Sequence, residues 1–273
     1  MLSFPSSPYP DGGKAIGSCR LSKHPESIRA RERIFPGQCA FACLCAATNL
    51  SPMELLAGAL LERPPGPKYT SALRFAELAL KAPLPKPGTL ATWRQNLPVG
   101  FELALRAPDE CWQSPAGPLR PSAELDAGLA WLSEAADALH ASAIVVRTNA
   151  AVTTGARDRE RLREYFARAP RAEGRMIVWR PTGLWEPQAV QSMATTLSVV
   201  GGFDAVDDPA PDAEVVYASL LAEGVRRSFS HAQLLEVLHK IESSAAARAF
   251  VTIESGQSFR EARSLQALSE GRE

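Results

Sequence analysis

Short apolar runs alternate along this chain with stretches that place apolar residues at every third or fourth position. The runs read as strands buried on both faces, and the periodic stretches as helices laid over them. CAFACLCAA (39–47) predicts a strand, and SPMELLAGALLE (51–62) a helix. Ser51 caps that helix, Pro52 suits its first turn and Glu54 completes a capping box. ALRFAELAL (72–80) carries a conflict: its composition prefers helix, while its place in the alternation favours a strand from Phe75. GTLATWRQNL (88–97) predicts a short helix, and VGFELALRAP (99–108) a strand closed by Pro108.

The later chain is clearer. PSAELDAGLAWLSEAADALH (121–140) sets Leu125, Leu129, Leu132 and Leu139 at helical spacing behind a Ser122 cap. SAIVVRT (142–148) is a strand rich in β-branched residues. ARDRERLREYFARA (156–169) is a charged helix with Leu162, Tyr165 and Phe166 on its inner face. RMIVWR (175–180), LSVVGGF (197–203), EVVYASLL (214–221) and RAFVTIE (248–254) predict strands. EPQAVQSMATTL (186–197), SHAQLLEVLHKIE (230–242) and SFREARSLQALSE (258–270) predict helices. About eight strands alternating with helices match a (β/α)8 TIM-type barrel, with a doubly wound open sheet as the alternative. The Pro-rich DAVDDPAPD (204–212) is too short for a full crossover helix, so one connection is expected to be reduced there. The expected organisation is an irregular N-terminal lead-in over 1–38 and one barrel domain over 39–273.

Composition narrows the function classes. Thirty Lys and Arg balance thirty Asp and Glu, which gives no support for nucleic acid or an anionic membrane as partner. No apolar stretch reaches the ~18 residues a membrane helix needs. The first residues lack the basic start and apolar segment of a signal peptide. Five cysteines in 273 residues are not a disulfide framework and fit a reducing, cytoplasmic setting. Cys39, Cys43 and Cys45 form C-x3-C-x-C, which lacks the usual close metal pair and reads as small apolar side chains. The four histidines form no ligand pair. Without a glycine-rich nucleotide loop or an H-E-x-x-H site, no cofactor or metal is expected. Oligomeric state is open.

PLPKPGTLATWRQNLPVGFELALRAP (83–108) resembles the DUF72, or YecE-like, family. Its proline-containing turn, Trp93–Arg94 pair, Pro98, Gly100, Phe101 and Pro108 fall in that family's register. AIVVRTNAAV, MIVWRPTGLW, VVYASL and RAFVTIESG are similar to later family strands, and the likeness runs from about Tyr69 to Leu268. The resemblance implies a TIM barrel with no established general activity. It also marks departures. The glutamate and asparagine that end the family's second strand are not found in LALKAPLPKP, and Arg106 stands for a lysine. Val178 replaces a glutamate while Arg180 is kept. Ser219 stands for an arginine, and Glu254 and Ser255 for an asparagine-rich strand end.

Ligands of such barrels bind at the C-terminal strand ends. That rule selects Lys81, Arg106, Arg147, Arg180 and Glu254, with Asp204 and Asp207 just past the sixth strand. Four basic groups near one rim suit a small anionic ligand such as phosphate, a carboxylate or a sugar acid. Trp185, in the loop after Arg180, is a candidate stacking surface. Two function classes stay open. One is an enzyme acting on a small anionic or carbohydrate-like substrate, with Arg106 and Arg180 positioning it and Glu254 or Asp207 moving a proton. The other is a non-catalytic ligand- or partner-binding barrel that has lost its family's polar site.

Overall fold

The computed structural model describes residues 53–222, 224 and 227–272. Its main sheet is parallel throughout. The strands are β1 (Glu54–Leu61), β2 (Phe75–Ala79), β3 (Glu102–Arg106), β4 (Ala143–Thr148), β5 (Met176–Pro181), β7 (Val215–Leu221) and β8 (Arg248–Glu254), with β6 made of two pieces, Val200–Gly201 and Phe203–Asp204. The first piece of β6 pairs with β5 and the second with β7. The two ends of the sheet are therefore halves of one strand, and the sheet closes into an eight-stranded barrel.

Helices α1 (Pro67–Thr70), α2 (Pro87–Gln95), α3 (Ala123–Leu139), α4 (Ala156–Arg168), α5 (Pro187–Leu197), α6 (His231–Glu242) and α7 (Ser258–Ser269) surround it. The expected caps are present: Ser122 accepts from Leu125 N–H, and Ser230 forms a capping box with Gln233. The expected reduction of one connection is also found, because no helix joins β6 to β7. A second connection, α1, is shortened to four residues.

One element departs from the sequence expectation. The helix expected over 51–62 is strand β1, and Glu54 opens it rather than completing a cap. β1 lies between β2 and β8 and is buried along most of its length. Its Leu and Ala content favours helix, but an apolar run in the middle of a parallel sheet takes the conformation its neighbours dictate. Gly58 marks the fit: a Cβ there would stand 2.6 Å from the Phe75 carbonyl oxygen. The ambiguous segment resolves as strand from Phe75, as its place in the alternation favoured. The strand expected over 39–47, with Cys39, Cys43 and Cys45, lies outside the described residues.

Alternation along each strand divides the core in two. Outward residues pack under the helices in the larger apolar layer. Inward residues fill the barrel with Leu56, Phe75, Ala104, Ala143, Val145, Val178, Tyr217 and Phe250. Phe75 meets Phe250 edge-to-face at 5.2 Å, and Tyr217 stacks on Phe250 at 6.2 Å. This aromatic plug closes the interior. At the N-terminal mouth Arg248 pairs with Glu54 and Glu102 and lies over the Phe250 ring. The C-terminal mouth is left to the inward residues one or two steps farther along each strand.

Candidate functional site at the C-terminal mouth

Those next inward positions carry charge on six strands. β2 supplies Glu77, β3 Arg106, β4 Arg147, β5 Arg180, β6 Asp204 and β8 Glu254. Arg147 and Arg180 are direct partners in the β4–β5 register. The strand periodicity of two places each of them above an apolar interior residue: Arg106 follows Ala104, Arg147 follows Val145 and Arg180 follows Val178. Three arginines and three carboxylates balance formally, but their pairing is uneven.

Glu77 is fully buried and anchors one side. Arg106 Nε donates to its Oε1 at 2.6 Å, and Tyr217 Oη donates to its Oε2 at 2.7 Å. Burial alone would raise the Glu77 carboxyl. The Arg106 charge, with hydrogen bonds from Tyr217, Arg106 and Thr252, outweighs burial and holds it below the ordinary glutamate range. Burial likewise opposes the Arg106 charge, and Glu77 and Glu254 more than offset it. Tyr217 is pushed well above its usual range, first by burial and then by the Glu77 charge, so its phenol stays a donor. Glu254 Oε2 accepts from Arg106 at 3.2 Å and from Arg147 at 3.3 Å. Arg106, Arg147, Glu77 and Glu254 thus form one connected network.

Arg180 stands apart from it. The residue is only 7 % exposed, yet its Nη1 is buried without a hydrogen-bond partner. Its Nη2 lies 3.6 Å from Asp204 Oδ2, beyond a normal hydrogen bond. Burial first, and then the positive charge of Arg147, hold Arg180 below the usual arginine range. Arginine does not give up its proton in proteins, so this is a cost of holding the charge and not a titration. Asp204 is raised, chiefly by burial, and its Oδ1 is already engaged by the Val206 N–H.

Two clefts open at this mouth. The larger, about 540 Å³, has Lys81, Arg106, Glu254, Glu62 and Glu110 on its walls. Lys81 is at the exposed rim, ion-paired with Glu62. The smaller, about 290 Å³, is lined by Arg147, Arg180, Thr182, Trp185, Gln191, Asp204 and Asp207 among others. Gly202, the break in β6, makes room for Arg180: a Cβ there would meet Arg180 Cβ and Val178 Cγ1, each at 3.2 Å.

The structure therefore brings Arg106, Arg147, Arg180 and Glu254 to one mouth, with Asp207 exposed on the wall of the smaller cleft. Trp185 is buried in its loop, with its indole N–H donated to Val152 O at 2.8 Å. Trp185 also meets Trp179 edge-to-face at 4.8 Å, and the Arg159 guanidinium lies over its ring. Cys111 is a core side chain, its thiol pushed up to about 12 by burial and then by Glu110. Among the described residues no group of three His, Cys, Asp or Glu side chains could hold a metal ion.

Sequence reasoning missed Glu77 and Tyr217. The second strand does supply a glutamate, at its middle and not its end. The signal was present: a single carboxylate inside FAELA, two residues after Phe75, is the pattern of an interior polar position on a strand.

No family model matches the chain, and no curated protein does so either. Solved structures do. A DUF72 family protein from Enterococcus faecalis V583 superposes with a TM-score of 0.56 at 14 % identity, over 80 % of this chain and 98 % of its own. Endonuclease IV from Thermus thermophilus gives a TM-score of 0.50 at 14 % identity, over 79 % of this chain and 99 % of its own. At such identities the likeness speaks for the barrel alone. No described helix is long and apolar enough to cross a membrane. The chain thus has a distant structural relationship to the DUF72 family through a shared TIM-barrel fold.

Proposed function

We propose that this barrel binds a small anionic ligand at its C-terminal mouth, with Arg180 as the principal binding group and Arg147 beside it. The observation that carries the reading is the buried Arg180 guanidinium, whose Nη1 lacks a partner while its carboxylate neighbour stands 3.6 Å away. A buried charge left so poorly compensated is costly, and a bound oxyanion supplies the missing acceptors in the geometry a guanidinium prefers. Arg106 has a different part. Its bonds to Glu77 and Glu254 make it a scaffold that holds the acids in place.

A catalytic version of the reading rests on Asp204. Its raised carboxyl beside Arg180 is the group best suited to exchange a proton with a bound ligand. Glu254 is less suited, because one of its oxygens already serves two arginines. Asp207 lines the cleft and adds to the negative charge near Asp204.

The test is thermal unfolding with phosphate, propanoate and gluconate. A ligand at ~100 times its Kd stabilises by about 2.7 kcal/mol, so binding registers as a raised Tm. Arg180→Met is expected to abolish the anion-induced shift. Without ligand it is expected to be more stable than the parent by about 1 kcal/mol, because an unsatisfied buried donor is gone. An undiminished anion shift in the variant overturns the reading.

A further inference from the structure

The smaller cleft carries more information than the sign of its ligand. At about 290 Å³ it lies at the small end of ligand sites, so its occupant is a compact molecule. One side is Arg180 with Arg147. Asp207, an exposed carboxylate, also lines it, as do Gln191 and Thr182. Gln191 spends its amide N–H on Gly201 O at 3.1 Å, and Thr182 spends its hydroxyl proton on Thr148 O at 3.2 Å. Gln191 keeps one amide N–H and its carbonyl oxygen for a ligand, and Thr182 keeps acceptor oxygen. The cleft therefore sets two guanidiniums against three carboxylates, Asp204, Asp207 and Asp208, and is rich in acceptors. A bare inorganic anion or a plain alkyl carboxylate satisfies the arginine end only. An ammonium donates to the carboxylates but accepts nothing, so it leaves the second Gln191 N–H unmet and adds charge near two guanidiniums. Hydroxyl groups donate to the acceptors and add no charge.

Resting on the anion-binding reading, we propose that the ligand of this cleft is a polyhydroxylated carboxylate of sugar-acid type. Its carboxylate binds Arg180, and its hydroxyls donate to Asp207 and the neighbouring acceptors. Asp207 is the residue that selects hydroxylated over plain carboxylates. Its carboxylate gains only when a donor faces it, and it repels a ligand that presents none.

Isothermal titration of the full chain with gluconate, propanoate and glucitol separates the parts. The wild-type protein is expected to bind gluconate about tenfold or more tightly than propanoate, a difference of about 1.4 kcal/mol, and glucitol far more weakly than either. Asp207→Ala is expected to cut the gluconate advantage to about threefold or less, while propanoate binding holds or improves. Asp207→Asn, which keeps size and solubility, is expected to give an intermediate preference. Equal affinity for gluconate and propanoate in the wild-type protein, both lost in Arg180→Met, overturns the sugar-acid assignment and leaves the anion reading standing. Glucitol binding as tightly as gluconate, or an unchanged preference in both Asp207 variants, also overturns the assignment. Absence of any Arg180-dependent anion binding overturns the anion reading and the assignment with it.

Discussion

Glu77 sits fully buried between Arg106 and Tyr217, and each of its oxygens has a defined donor. Removing its charge leaves the Arg106 guanidinium, only 15 % exposed in its side chain, with Glu254 as its remaining partner at 3.2 Å. Breaking one side of a buried pair costs about 3–5 kcal/mol. Glu77→Gln is expected to lose stability on that scale at neutral pH. The pH dependence follows from the direction of its shift. Its carboxyl is held below the ordinary glutamate value of 4.5 in the folded protein. The unfolded chain therefore takes up the proton first as pH falls. The stability Glu77 contributes is complete above the unfolded value and disappears as pH drops through the folded one. Urea unfolding of both proteins from pH 7 downward should show a gap that is constant at first and narrows in acid. A gap that stays constant below the folded value would place the effect in packing and not in the charge.

At the level of elements, legibility followed the competition between local preference and sheet context. Helices α3 and α6 were readable because caps and apolar periodicity agreed, at Ser122 and Ser230, and α4, α5 and α7 by apolar periodicity without a side-chain cap. Strands β4, β5 and β8 were readable as apolar runs with a charged or polar residue at or near their ends, and β7 as an apolar run ending in two leucines. β1 was misread because Leu and Ala favour helix, and its longer pairing is with β8, remote in sequence. The arginines of the mouth followed from the barrel rule, whereas their pairing did not: which of three guanidiniums keeps a buried nitrogen without a hydrogen bond depends on a glutamate in β2 and a break in β6. β1 also offers a direct test of its assignment. A methyl group at Gly58 would press on the Phe75 carbonyl at 2.6 Å and on its carbon at 2.9 Å, both main-chain atoms that cannot swing aside. Gly58→Ala, mildly stabilising in a helix, is expected to cost about 1–3 kcal/mol in this strand. A raised Tm for that variant would contradict the packing of β1 on β2.

Across the whole molecule, closure and site meet at β6. The two pieces of this strand are the two ends of the sheet, it is broken at Gly202, and no helix follows it before β7. The return to β7 is secured in another way. Lys240, near the end of α6, donates to the carbonyl oxygens of Ala205, Val206 and Asp208 at 2.8, 2.8 and 2.9 Å. The Asp208 carboxylate accepts from the Asp204 N–H at 3.0 Å, so the turn is tied at both ends. One ammonium thus does for this connection what a packed helix does for most of the others, and the segment it holds carries Asp204 and Asp207 into the smaller cleft. Lys240 is absent from the walls of that cleft, yet its loss should reach the ligand. Lys240→Met removes three charge-assisted bonds and is expected to destabilise the protein by about 1–3 kcal/mol. Opening should be local: amide exchange should quicken over residues 204–208, while β1, β2 and β8 stay protected. Gluconate affinity should fall as well, because Asp204 and Asp207 no longer hold one position, and a flexible wall must be ordered by the ligand. Unchanged exchange over 204–208 in the variant would mean that the turn stands on its own hydrogen bonds, and that barrel closure at β6 does not depend on α6.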